Sequence, residues 1–215
     1  DILGEGLDGV VVAEILACER HPEADRLQVC RVANGNGEVQ IVCGAPNARA
    51  GLKAPLAVVG ARLPGGIEIK AAKLRGVESH GMLCSARELG IDADASGLME
   101  LPADAPVGAS LAAYLSLPDA RFELKLTPNR ADCFSLRGIA YEVAAALGGT
   151  VQPLDVPAVA PVGTREFPIS LDAGEACPRY CGRAIDDVDA TAPTPSWMRE
   201  RLRRAGIRPL SFLVD

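Results

Sequence analysis

Lys70, Lys73 and Arg75 lie close together in the chain, with Ser79 and His80 just beyond them. Point charges and hydrogen-bond donors at this spacing suit phosphate groups, and Asn47 adds a further donor. The competing reading is a solvated edge of a β-structure, where lysines discourage edge-to-edge pairing. The formal net charge is -6. A free-standing, non-specific nucleic-acid binder is usually basic, so any such contact must come from a local patch.

Other chemistries find little support. His21 and His80 both sit in turn-like contexts, and no G-x-S-x-G elbow occurs. No P-loop is present; Leu63-Pro64-Gly65-Gly66 reads as a hairpin turn, not a phosphate cradle. Asp92 and Asp94 lack the spacing of a calcium loop. Asp186, Asp187 and Asp189 form an acidic cluster with no visible metal partner. No catalytic residue and no metal ligand is assigned. The 7 cysteines are scattered through apolar runs, and Cys177-Pro178-Arg179-Tyr180-Cys181 fits neither the C-x-x-C redox motif nor a zinc knuckle. They read as reduced thiols of a cytoplasmic protein. No run approaches the ~20 apolar residues that cross a bilayer.

The elements that must position the cationic group are mainly β. Val10 to Cys18 reads as a first strand, His21 to Asp25 as a turn, and Arg26 to Ala33 as an alternating strand. Asn34-Gly35-Asn36-Gly37 is a strong hairpin signal, with Glu38 to Cys43 returning. Lys53 to Val59, Ile67 to Ala72 and Gly81 to Ser85 continue the β-structure. Ser85 to Gly90 is expected as a short helix with Ser85 as N-cap and Glu88 three residues on. Leu98 to Leu101 suggests a strand, and Val107 to Leu115 a second short helix. Without βαβ alternation, a small closed β-barrel is expected.

Beyond Leu117 the pattern changes. Arg121 to Leu126 is a strand candidate, and Asp132 caps an expected helix over Cys133 to Leu147, closed by Gly148-Gly149. Its apolar stripe, Leu136, Ile139, Ala140, Val143 and Leu147, is expected to pack on the barrel or a neighbouring sheet. A Pro- and Val-rich linker follows, then strand-like Phe167 to Leu171 and Tyr180 to Ile185. Pro195 to Gly206 is an amphipathic helix with Pro at its start and Gly at its end. Ile207 to Asp215 opens a fresh apolar strand, from which a third domain cut short is expected.

Several motifs carry a resemblance. His21-Pro22-x-Ala24-Asp25-x-Leu27, Val42-Cys43-Gly44-Ala45-Pro46-Asn47, and Leu63-Pro64-Gly65-Gly66 followed by Lys70, Lys73 and Arg75-Gly76 come first. Ser79-x-Gly81-Met82-x-Cys84-Ser85-x-x-Glu88-Leu89-Gly90 completes them. Together they resemble the EMAP-type tRNA-binding OB-fold. The flanks Thr127-Pro128-Asn129-Arg130-x-Asp132-Cys133-x-Ser135-x-x-Gly138-Ile139-Ala140 and Arg199-Glu200-Arg201-Leu202-x-x-Ala205-Gly206-Ile207-Arg208-Pro209 are similar to bacterial phenylalanyl-tRNA synthetase beta subunits.

The resemblance implies an OB-fold over residues 1–115, a helix-and-strand module over 116–155, a linker over 156–164 and the start of a β3/β4-type editing domain over 165–215. The fold class is mainly β with α+β flanks. It further implies the N-terminal part of an (αβ)2 ligase that joins phenylalanine to its tRNA with ATP and magnesium. This portion would bind tRNA and serve subunit architecture without catalysing by itself. Asn47, Lys70, Lys73, Arg75, Ser79, Met82 and Ser85 become the expected RNA-binding residues. A free-standing tRNA-binding module and a docking scaffold for the alpha subunit are the alternatives.

Overall fold

The computed structural model describes residues 1–215. Two compact units are present: residues 1–122 with 194–210 and 215, and residues 123–193 with 211–214.

The first unit begins with β1 (Ile2–Leu3) and β2 (Val10–His21). Then come β3 (Ala24–Ala33), β4 (Glu38–Cys43), β5 (Lys53–Ala57), β6 (Arg62–Leu63) and β7 (Ile67–Glu68). The short strands β8 (Ala72–Leu74), β9 (Val77–Ser79) and β10 (Met82–Leu83) follow. Helix α1 (Leu111–Tyr114) and strand β11 (Asp119–Ala120) complete the series. The central sheet is antiparallel, in the order β10-β5-β2-β3-β4. β6 pairs with β7, β8 with β9, and β1 with β11.

β2 is apolar on both faces, and the core explains why. Val10 and Val12 pack with Leu63, Leu89, Leu101 and Leu111. Ala13 and Ile15 face the other way and join Cys30, Val32, Ile41, Leu56 and Leu83. A strand buried on both sides reads as a continuous hydrophobic run instead of an alternating one. The register shifts between Ile15 and Ala17, so Leu16 is the extra residue of a bulge.

The expected closed barrel does not form as a continuous ladder. The sheet's edge strands β10 and β4 have no strand pairing with each other. The end of β9 reaches β4 through single bonds instead: the His80 amide, just past β9, donates to the Gln40 carbonyl at 2.9 Å. The Ser79 hydroxyl accepts from the Val42 amide at 3.1 Å and donates to the Gly81 carbonyl at 3.2 Å.

Several local expectations are also revised. Ser85 to Gly90 is a turn, not a helix, although the Glu88 carboxylate accepts from the Ser85 amide and hydroxyl at 2.7 and 2.8 Å. The Arg87 amide turns to the Asp94 carbonyl at 3.0 Å, which ends any helical path. Leu98 to Leu101 contributes only a bridge from Leu101 to Lys53. The second short helix contracts to α1, whose start is fixed where the Ser110 hydroxyl accepts from the Ala113 amide. The Ile67 to Ala72 run is divided between β7 and β8. The strand expected at Arg121 to Leu126 is instead the two-residue β11 just before it.

In the second unit, a 3₁₀ turn (Ala131–Phe134) leads into α2 (Leu136–Leu147). Ser135, not Asp132, caps α2, its hydroxyl accepting from the Gly138 amide at 3.0 Å. Asp132 is engaged by Arg130, which also reaches Glu142 at 2.6 Å. A Cβ on Gly138 would lie 2.0 Å from the Asp132 carbonyl oxygen, so only glycine fits. Gly148, at φ 71, closes α2 in the left-handed conformation. No residue of α2 is buried; Leu136 is 92% and Leu147 82% exposed. Phe167 to Leu171 and Tyr180 to Ile185 form no ladder and are not strands. Ile207 to Asp215 likewise forms no strand.

Helix α3 (Ser196–Arg204) belongs to the first unit, as the amphipathic pattern predicts in extent. Arg204 ties it to Asp119 at 3.0 Å, and Arg203 approaches Asp92 at 3.5 Å. No helix is long and apolar enough to cross a membrane.

Candidate nucleic-acid interface

The cationic group is carried by a tight hairpin. In β8–β9, Leu74 is opposite Val77, leaving Arg75 and Gly76 as a two-residue turn. Their φ angles are 44 and 84, the left-handed pair that a type I′ hairpin requires. A non-glycine residue in that region costs roughly 1–2 kcal/mol. Arg75 is held there in part by donating to the Glu23 carbonyl at 3.3 Å. Ala72, Lys73, Leu74, Arg75 and Gly76 are all exposed, so the hairpin buries little of its own surface.

The hairpin brings Lys73 and Arg75 to one projection, with Lys70 on the approach to it. Lys70 is paired with Glu68 at 3.2 Å, but both side chains are exposed and such pairs contribute little. Lys73 makes no ion pair, although Glu78 is its partner in the ladder. His80 lies 3.5 Å from the Glu78 carboxylate. Charges of both signs therefore share the hairpin: Lys73 is level with Glu78, and Arg75 lies at the turn beside Glu23.

The remaining expected residues are placed differently. Ser79 is 4% exposed and its hydroxyl is engaged by Val42 and Gly81. Ser85 is buried and bonded to Glu88. The Asn47 side chain pins the 98–100 segment: it accepts from the Leu98 amide at 2.8 Å and donates to the Leu98 carbonyl at 3.0 Å. It also donates to Glu100 at 3.1 Å. Beside it, Arg49 forks onto both Glu100 oxygens at 2.8 Å and holds that carboxyl below its usual range. Met82 is half-buried and lines a groove of about 700 Å³ with Gly44, Pro46, Pro64, Ser85 and Arg87. Glu88, bonded to Ser85, also lines it, so both signs of charge border the groove.

Two residues with a share in this arrangement are not among the expected site residues. Gln40 donates to the Glu78 carbonyl at 2.8 Å and secures β9. His21 is 5% exposed and lies 3.1 Å from the Leu74 carbonyl. In sequence His21 reads as part of a turn and opens the His21-Pro22-x-Ala24-Asp25 motif, which is the signal available for it; the structure extends β2 to it.

Residues 10–110 match the family model described as a putative tRNA binding domain, and residues 176–215 match the B3/4 domain. Along 99% of its length the chain is 67% identical to a phenylalanine–tRNA ligase beta subunit of Xanthomonas campestris pv. campestris (strain 8004). It is 60% identical over its full length to the beta subunit of Xylella fastidiosa (strain 9a5c). In both cases it spans 27% of the relative's length. A solved MetRS related protein from Pyrococcus horikoshii aligns with 47% of this chain and 87% of its own, at 27% identity and a TM-score of 0.36.

Proposed function

For a chain that belongs with the phenylalanine–tRNA ligase beta subunits, we propose that the first unit contacts tRNA through Lys70, Lys73 and Arg75. Met82 and the groove beside it take an unstacked base, and Asn47, Ser79 and Ser85 act by holding the surrounding loops. The observation that carries this reading is the exposed hairpin tip, where Lys73 and Arg75 project with no carboxylate bonded to either. Phosphates attract such charges and pay little desolvation at an exposed tip.

In this reading the complete ligase attaches phenylalanine to its tRNA in the cytoplasm as an (αβ)2 tetramer, with ATP and magnesium acting elsewhere in the assembly. The role of this portion is recognition, not bond chemistry. A second role, docking of the alpha subunit, is favoured by the uncovered apolar stripe of α2.

The test is titration of the chain with phenylalanine tRNA at two salt concentrations, with and without the alpha subunit. Replacing Lys73 and Arg75 together by Ala should weaken binding and reduce the log–log salt slope by about 1.8, at roughly 0.9 per neutralised phosphate by analogy with duplex DNA. Unchanged affinity and slope in that double variant would remove the hairpin from the interface.

A further inference from the structure

We propose that His21 is the positioning residue for the cationic hairpin: its buried imidazole locks β8 and the Arg75-Gly76 turn against the β2–β3 turn and so fixes where Lys73 and Arg75 project. The functional half of this inference rests on the tRNA-contact reading above.

The geometry is specific about the histidine's chemistry. The Glu23 amide donates to Nδ1 at 3.0 Å, so Nδ1 carries a lone pair and the ring proton sits on Nε2. Nε2 then donates to the Leu74 carbonyl at 3.1 Å. His21 is the last residue of β2, Leu74 the last of β8, and 53 positions separate them in sequence. One side chain thus joins two hairpin ends. Arg75 adds its own bond to the Glu23 carbonyl, and a Cβ on Gly76 would come within 4.0 Å of the Glu23 carboxylate. The two turns therefore rest on each other.

The rest of the hairpin shows why this point matters. β9 is secured at its base, by Gln40 on the Glu78 carbonyl and by the Ser79 hydroxyl on the Val42 amide. β8 has no such anchor: Ala72, Lys73 and Leu74 are all exposed. Held only along one strand, a short hairpin pivots; a two-stranded ribbon has little stability of its own. His21 supplies the second point of attachment. It is also a buried polar ring whose two nitrogens are both satisfied, so removing it leaves the Leu74 carbonyl and the Glu23 amide without their partners.

Two substitutions separate the two nitrogens. His21→Gln places an amide NH₂ near the Nε2 position and keeps a donor for Leu74. His21→Asn can replace Nδ1 as acceptor but does not reach Leu74. Amide hydrogen exchange on the intact chain reads the hairpin without RNA. His21→Asn should accelerate exchange at residues 72–78 about tenfold, the scale of one lost hydrogen bond, while β2–β5 amides keep their protection. His21→Gln should stay near the parent protein. With phenylalanine tRNA, His21→Asn should weaken binding and flatten the salt slope, and adding the Lys73 and Arg75 substitutions should cost almost nothing more.

Unchanged exchange at 72–78 in His21→Asn would overturn the proposal. So would exchange spreading to β2–β5, which would make His21 a general core residue. A loosened hairpin with parental tRNA affinity, while the Lys73/Arg75 variant still binds weakly, would overturn the positioning role. If neither variant alters tRNA binding, the tRNA reading fails and the mechanical coupling of His21 to the hairpin stands on the exchange data.

Discussion

The Ser79 hydroxyl and the Val42 amide, 3.1 Å apart, join two sheet edges that no ladder connects. Replacing Ser79 by Ala leaves that amide without its partner in a part-buried site. A loss of about 1–3 kcal/mol is expected, read by urea denaturation with the slope unchanged. Parental stability in Ser79→Ala would show that the edges are held together by packing alone.

The Asn34–Gly37 turn rests against another backbone. Gly35 has φ 86, and a Cβ there would lie 2.4 Å from the Gly108 Cα. Gly35→Ala should therefore cost at least about 2 kcal/mol, combining left-handed strain with the clash. Gly65, at the same φ of 86 with open space around its Cβ, provides the comparison. Its replacement by Ala should cost less, and equal losses in thermal denaturation would contradict the contact.

Arg49 lowers the pKa of Glu100 from its ordinary 4.5. A carboxyl with a depressed folded-state pKa stabilises the fold above pH 4.5, and the contribution disappears as pH falls through the lowered value. Both side chains are substantially exposed, so the effect at neutral pH should stay below ~1 kcal/mol. Glu100→Gln should lose that amount at pH 7 and nothing at a pH where Glu100 is protonated. A constant deficit across both would assign the loss to packing.

The cysteines divide by environment. Cys177 and Cys181 are exposed and should react with a thiol reagent within the mixing time. Burial pushes the Cys84 thiol up to about 12 and raises those of Cys30 and Cys43. These three should react only after unfolding. Cys18 is half-buried, with its sulfur 2.9 Å from that of Cys30, and should fall between the groups. Fast labelling of Cys84 in the native protein would argue against the packing of the 84–91 turn.

What the sequence makes readable is what local chemistry decides. The Asn34–Gly37 turn, the alternation of β3 and the extent of α3 need only neighbouring residues, and each is found. Ser85 and Glu88 show the limit. Their bonds form as a capping box would have them, but Gly90 follows at φ 64 and no helix develops. The strand patterns at Phe167 and Tyr180 fail for another reason: a strand exists only with a partner, and a single stretch does not contain its partner. The residues proposed for the tRNA contact divide along the same line. Exposed Lys73 follows from its charge, whereas Ser79, Asn47 and His21 owe their positions to groups 37 to 53 residues away.

Because β8 and the Arg75-Gly76 turn bury almost nothing, the tip can be rewritten without disturbing the core. Its charges, and even the identity of Leu74, are free to vary as long as a carbonyl remains opposite His21. The attachment is made to the main chain, which every sequence supplies. The hairpin thus behaves as an interchangeable cassette: its charge can change while the same scaffold is kept, so the proposed contact with tRNA could be retuned without refolding the core.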